Sequence, residues 1–372
     1  MDKIFLVPGF FGFTRLGSLS YFHGVADFLN SHFAKTGFKA QIIECQTKPT
    51  GSIKRRAECV LDEVIKQGFS DEDRLHFVGH STGGLDIRLL LTPNVRIRDG
   101  EIEEKIGRLT KNIITVSTPH FGTPLANYFT TLPGRQLLQI ITIMATTKSG
   151  RYGLFAGSKI LSFIARLDDW AGRTDTFLDR LSEKFLSKIT TGDNDELFRF
   201  LDEVSRDQGA VIQLTPEGMN LYNAAVSDRE NCNYFSIVTA APPPPTNFRL
   251  DEINSAAKLS MAGLFTLMYT IASREHPHYP YPSRADEYKK QLEDQLPFPL
   301  TAHSNDGVVP SLSQVYGENP KIVVSDHLDI VGQYPWAGGD PYADWLPSGS
   351  GFDTARFEYV WSIIANRISE ST

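Results

Sequence analysis

Residues Arg74 to Gly84 read RLHFVGHSTGG. A short apolar run, Leu75 to Val78, is stopped by Gly79-His80-Ser81-Thr82-Gly83, and Gly84-Leu85-Asp86-Ile87-Arg88-Leu89-Leu90 then resumes with helical spacing. The pattern predicts a strand, a tight turn and a helix. Glycines two residues to either side of a serine let the strand and helix backbones pass without a Cβ clash. Such a turn lifts the serine hydroxyl above a sheet. It also leaves the next N–H at a helix N-terminus, where developing negative charge is stabilised. Since G-x-S-x-G matches arise by chance, the flanking strand and helix carry the meaning here.

Upstream, Ile4 to Val7 is a wholly apolar strand that runs into Pro8-Gly9-Phe10-Phe11-Gly12-Phe13. A glycine-rich turn just past a buried strand can aim a second backbone donor at a ligand. Phe22 to Phe33 has helical spacing, Lys39 to Cys45 alternates as a strand, and Ser52 to Gln67 is an amphipathic helix that Gly68 should stop. Downstream, Asn112 to Val116, Tyr234 to Ala240 and Lys321 to Val324 read as further buried strands, and Thr354 to Ile368 as a closing helix. The alternation predicts an α/β fold with a mostly parallel sheet and helices on both faces.

Two stretches interrupt that alternation. Residues 125–228 turn helical, rich in Phe and Leu and broken by Gly. An insertion at the C-terminal edge of a doubly wound sheet lies over the ligand crevice, so this stretch is expected to be a helical cap or lid. After the stiff Pro242 to Pro245 spacer, a second excursion at about 246–299 holds the apolar helix Ser260 to Ala272 and a wet, proline-rich piece, His276 to Pro282. The expected division is a core of residues 1–124 and 229–372, with the cap at 125–228.

Composition excludes several classes. Over 372 residues, 41% are hydrophobic and 22% charged, as in ordinary globular chains. A net charge of -7 without an extended basic run argues against nucleic-acid partners. Cys45, Cys59 and Cys232 are odd in number and lack metal-type spacing, so neither a disulfide framework nor a zinc site is expected. The longest apolar runs, Leu137 to Ala145 and Leu259 to Ala272, fall below the roughly 18 residues of a spanning helix. Met1 to Gly9 enters a strand directly and lacks the regions of a signal peptide, so a cytoplasmic location is expected.

A serine hydroxyl needs a histidine base, itself held by a carboxylate. In α/β-hydrolase folds the chain order is Ser, Asp or Glu, then His after the last core strand. Of the nine histidines, His327 alone meets that order and position; His80 and His120 read as packing or hydrogen-bonding residues. The acid is Asp306, in an exposed turn whose following Gly307 suits a tight reversal. The oxyanion donors are the backbone N–H groups of Phe10 and Thr82. The chemistry requires no cofactor. The expected reaction is hydrolysis of acyl esters through an acyl-serine, with an apolar cap that suits lipid substrates and contact with an interface. Acyl transfer to an alcohol or thiol on the same scaffold, thioesterase action, and a non-catalytic hydrolase-like binder are the rival readings.

The residues as a set resemble the bacterial calcium-dependent triacylglycerol lipases of the α/β-hydrolase superfamily. The likeness lies in LVPGFFGF (Leu6 to Phe13), VGHSTGG (Val78 to Gly84), VSTPHFGTPLA (Val116 to Ala126), LTPEGMNLYN (Leu214 to Asn223), SNDGVVP (Ser304 to Pro310) and DHLDIVGQ (Asp326 to Gln333). It implies the same triad of Ser81, Asp306 and His327, and the same oxyanion pair. It also implies a structural calcium braced against the histidine loop by Asp329 and the main-chain carbonyl of Gln333, with Asp286 as a further carboxylate. Pro8-Gly9 stands where that family usually has His-Gly, and the family is usually secreted.

Overall fold

The computed structural model describes residues 1–10, 15–16, 19–98, 100–131, 134, 138, 141, 206–207, 209–244, 256–277, 279–335, 344 and 346–371. In chain order the elements are β1 (Asp2–Val7), a small antiparallel ribbon of β2 (Arg15–Leu16) and β3 (Leu19–Ser20), α1 (Val25–Thr36), β4 (Ala40–Glu44) and α2 (Ile53–Gln67). Next come β5 (Arg74–His80), α3 (Thr82–Leu91), α4 (Glu101–Leu109), β6 (Thr110–Val116), α5 (Pro124–Phe129), α6 (Gly209–Gln213) and α7 (Pro216–Ala225). The chain then runs through β7 (Asn233–Ala240), α8 (Ala256–Ala272), α9 (Tyr281–Leu292), β8 (Lys321–Val324) and α10 (Thr354–Glu370).

Six strands pair in the order β4-β1-β5-β6-β7-β8. All of these pairings are parallel. The strands carry consecutive buried apolar residues, Ile4 to Val7 in β1 for example, because both sheet faces are covered. Leu6 sits beside Val78, Val78 beside Ile114 and Ile114 beside Phe235. That row packs with Val25, Leu29 and Phe33 of α1 and Phe357, Val360 and Trp361 of α10. One residue earlier, the row Phe5, Phe77 and Ile113 faces the other way, against Ala57, Val60 and Leu61 of α2, Leu90 of α3 and Ile106 of α4. A one-residue register slip would exchange the two faces, so the sheet is pinned on both sides.

The six strands expected from periodicity are all present. Ser52 caps α2 by accepting from the Arg55 N–H, and Gly68 ends it with φ 64°, as its position suggests. The proline-rich piece His276 to Pro282 runs into a helix, since α9 begins at Tyr281 with that proline in its first turn. Proline is tolerated there because a first-turn N–H has no helical partner to lose. The helix in the second excursion begins at Ala256 rather than Ser260. Most of the expected cap, residues 125–228, lies outside the described residues; its described parts are α5, α6 and α7 together with a few intervening positions. Among the described residues no helix is long and apolar enough to cross a membrane.

Candidate active site

Ser81 follows β5 directly and starts α3, with φ 54° and ψ -129°. A non-glycine residue at positive φ is held there by its surroundings, at a cost of roughly 1–3 kcal/mol. The cramping is measurable at Gly83, where an added Cβ would stand 2.3 Å from the Val7 carbonyl oxygen. The loop after β1 presses equally close, since a Cβ on Gly9 would lie 2.5 Å from the Ser81 Cβ. Both expected oxyanion residues, Phe10 and Thr82, line the same cavity as Ser81, and Thr82 opens α3, where first-turn N–H groups lack helical partners.

The three residues singled out for the triad meet in space. His327 Nε2 lies 3.0 Å from Ser81 Oγ, and its Nδ1 lies 2.8 Å from Asp306 Oδ2. Asp306 is not exposed, as its polar turn suggested, but completely buried. Its Oδ1 accepts from the Val308 and Val309 N–H groups at 3.0 and 2.8 Å. Its Oδ2 also accepts from the Thr239 hydroxyl at 2.7 Å and the Gln314 amide at 3.1 Å. A buried carboxylate is tolerable only with such a full set of donors. The backbone supports the pairing too, because the His327 N–H donates to the Asp306 carbonyl at 3.0 Å. On the far side of the histidine loop, Trp361 of α10 donates to the Ile330 carbonyl at 2.9 Å.

Two buried arrangements around the serine were not legible in the sequence. In the first, the Gly9 N–H donates to Tyr21 Oη at 2.8 Å, and Tyr21 Oη lies 2.7 Å from His80 Nδ1. His80 Nε2 in turn lies 2.9 Å from the His327 carbonyl oxygen. Burial, with the nearby His327, holds the His80 imidazole well below its usual range, so it stays neutral. The neutral ring donates from Nε2 and accepts the tyrosine proton at Nδ1. His80 is thus a hydrogen-bonding residue, as expected, but it ties the loop of Gly9 to the loop of His327. His120, the other histidine read this way, is buried between Arg88 and Thr115.

The second arrangement is an ion pair. Arg56 and Asp86 are both fully buried, with nitrogen to oxygen distances of 2.8 to 2.9 Å. Arg56 also donates to the Lys48 carbonyl at 2.6 Å and to the Pro8 carbonyl at 2.7 Å. The Pro8–Gly9 peptide is consequently held at both ends, its carbonyl by Arg56 and its N–H by Tyr21. That anchors the peptide immediately before the one that carries the Phe10 N–H. With no His at position 8, orientation of this loop rests on groups contributed by α2 and by Tyr21.

Above Ser81 lies an apolar cavity. Its wall includes Ser81, Thr82 and His327, and its apolar lining includes Phe10 after β1, Leu125 of α5, Leu214 after α6, and Leu264 and Met268 of α8. Both excursions therefore contribute walls, and no Lys, Arg, Asp or Glu is among the described lining residues. Such a surface suits an uncharged aliphatic group held beside the hydroxyl.

The residues expected for calcium are only partly brought together. Asp329 is buried next to Asp326, and with Asp344 these carboxylates place one oxygen each within 4.8 Å of one another. Burial and the charge of Asp344 push the Asp329 carboxyl up to about 7, and burial with the charge of Asp329 raises Asp326 well above the usual carboxylate range. Gln333 sends its side-chain amide to the Ser20 carbonyl at 2.9 Å. Asp286 is exposed on α9 and is not among the three. Asp326 and Asp344 were not anticipated; a second aspartate directly before His327 was the available signal.

Comparison with known proteins agrees with the fold. Residues 43–167, about a third of the chain, match a family model described as "Putative serine esterase (DUF676)". That span includes Ser81 and ends before Asp306 and His327. Triacylglycerol lipase 2 of Saccharomyces cerevisiae is 29% identical over 154 residues, 34% of this chain and 44% of that protein. A triacylglycerol lipase of Vibrio cholerae serotype O1 is 36% identical over 86 residues, 23% of this chain and 26% of that one. The chain thus spans less than half the length of the curated relatives it matches. Among solved structures, lipase 1 from Pelosinus fermentans superposes with a TM-score of 0.54 at 17% identity, covering 98% of each chain. Staphylococcus hyicus lipase does so with a TM-score of 0.53 at 16% identity, covering all of this chain and 96% of that one. The fold is that of the α/β-hydrolases, and the relatives by sequence are lipases and esterases.

Proposed function

We propose that this chain is a serine carboxylic ester hydrolase acting on uncharged acyl esters. The observation that carries the reading is the continuous path Ser81 Oγ to His327 Nε2 to Asp306 Oδ2, at 3.0 and 2.8 Å, opening onto an apolar cavity. The Ser81 proton moves to His327 Nε2 as Oγ bonds to the ester carbon, and the carbonyl electron pair moves onto its oxygen. The oxyanion faces the N–H groups of Phe10 and Thr82. Its collapse expels the alcohol, which takes the proton from His327. Water then attacks the acyl-serine by the same route and releases the acid. The likeness to lipases by sequence supports a lipid ester as substrate.

A fluorophosphonate probe is expected to label Ser81 stoichiometrically and to abolish p-nitrophenyl ester turnover in proportion. Labelling of any other residue with parallel loss of activity overturns the assignment. Products formed with competing alcohol or thiol acceptors separate hydrolysis from acyl transfer.

Asp326, Asp329 and Asp344 further support a bound hard divalent cation, calcium by its preference for carboxylate oxygen. Such an ion would offset the mutual repulsion of the three carboxylates and brace the His327 loop. A ligand at 100 times its Kd stabilises the folded state by about 2.7 kcal/mol. Spread over an unfolding entropy of roughly 2.1 cal/mol/K per residue, that is about 3–4 °C in Tm for a chain of this length. Chelation is therefore expected to lower Tm by that amount, and Asp329→Ala to remove the sensitivity. An identical melting curve with and without chelator counts against the ion.

A further inference from the structure

Thr82 contributes more to the site than a backbone N–H. Its side chain is almost fully buried, 1% exposed, and its hydroxyl oxygen has no hydrogen-bond partner among the described residues. Burying a hydroxyl unpaired is unfavourable, and a group left so calls for an explanation. Other such atoms among the described residues belong to Thr47, Arg88, Asn127 and Tyr279, none of which lines the cavity above Ser81. Thr82 does line it, together with Ser81 and His327. It also stands at the N-terminus of α3, where the dipole of a ten-residue helix favours negative charge.

We propose that the Thr82 hydroxyl is a third donor to the oxyanion, alongside the N–H groups of Phe10 and Thr82. The proposal rests on Ser81 being the nucleophile. In a threonine, Oγ1 and the main-chain nitrogen are separated by only the Cα–Cβ unit, so an acceptor held by the N–H is within reach of the hydroxyl in a staggered χ1. Among the described residues no acceptor stands within hydrogen-bond reach of the hydroxyl. One arises only when the ester carbonyl becomes tetrahedral and its oxygen takes up the electron pair. A donor that waits unpaired and is engaged only then stabilises the transition state and leaves the bound substrate unaffected. The expected signature is a change in kcat at constant KM.

The test compares Thr82→Val, which keeps the shape and removes the hydroxyl, with Thr82→Ser, which keeps the hydroxyl and removes the methyl. Thr82→Val is expected to lower kcat for p-nitrophenyl butyrate about tenfold or more with KM unchanged, and Thr82→Ser to stay within about threefold of the parent. A trifluoromethyl ketone, whose serine adduct carries an oxyanion, should lose affinity for Thr82→Val by the same factor as kcat. The Tm of Thr82→Val should equal or exceed that of the parent, because an unpaired buried hydroxyl has been removed. The proposal is overturned if Thr82→Val keeps kcat within twofold, or if Thr82→Ser is as impaired as Thr82→Val, which marks packing as the cause. Should Thr82→Val fail to fold, Thr82→Ala takes its place beside Thr82→Ser with the ketone: a tenfold weaker affinity in Thr82→Ala than in Thr82→Ser upholds a hydroxyl donor, and equal affinity in the two overturns it. Fluorophosphonate labelling of Ser81 in each variant separates these outcomes from failure of the underlying reading, in which Ser81 is not labelled even in the parent.

Discussion

Ser81→Ala is expected to lower kcat for a p-nitrophenyl ester by about 10⁴- to 10⁶-fold, and His327→Ala by a similar factor, with the double replacement little worse than either alone. Ser81 and His327 form one unit: the hydroxyl is a poor nucleophile until the imidazole takes its proton, and the imidazole has no substrate atom to act on without the hydroxyl. Asp306→Asn should cost nearly as much, although the amide occupies the same volume. With Asp306 in place, the ring donates from Nδ1 across the 2.8 Å contact and keeps Nε2 free to accept. An amide that donates to Nδ1 would move the ring proton to Nε2, which could then no longer take the serine proton. Steady-state kinetics on active-site-titrated protein measure all four variants. Strictly additive losses for Ser81 and His327 would sink the idea that they act as a unit.

Arg56→Met is the replacement with the largest expected effect on stability. Asp86 is left buried with no counter-ion. Burial already pushes its carboxyl up to about 7 with Arg56 present, so without Arg56 it must take up a proton or stay charged and unpaired, and such truncations of a buried pair cost about 3–5 kcal/mol. The Pro8 carbonyl loses its donor in the same step, so the loop carrying the Phe10 N–H should loosen and kcat should fall along with stability. Replacing both partners, Arg56→Met with Asp86→Leu, removes the unpaired charge and should restore most of the folding free energy while leaving kcat low. Urea denaturation midpoints and ester kinetics on the parent and the two variants check this. A single replacement that costs under about 1 kcal/mol would contradict a fully buried pair, since a cost that small belongs to solvent-exposed ion pairs.

Which of these features could be read from the sequence follows from the range of the interaction responsible. Gly79-His80-Ser81-Thr82-Gly83 declares its turn because the clash it avoids lies within the turn and the strand beside it. His327 and Asp306 are recoverable because parallel-sheet topology puts chain ends after β7 and β8 at the same edge as Ser81. Asp306 was misjudged as exposed because a polar turn usually is, and the donors that bury it, Thr239 and Gln314, lie 67 and 8 residues away with no local pattern to mark them. The start of α9 is not marked by its own sequence, because proline breaks helices in their interior, whereas Pro282 stands in a first turn, where it is tolerated.

By itself the sequence determined the six buried strands, the helices that cover them, the serine turn, and the order of acid and base along the chain, since each depends on periodicity or on short-range sterics. The tertiary structure alone decided the Tyr21–His80 tie, the Arg56–Asp86 pair behind the Pro8 carbonyl, the gathering of Asp326, Asp329 and Asp344, and the cavity walls drawn from both excursions. These join residues far apart in the chain through hydrogen bonds and charge made favourable by burial, and burial is a property of the packed molecule that no local stretch of sequence contains.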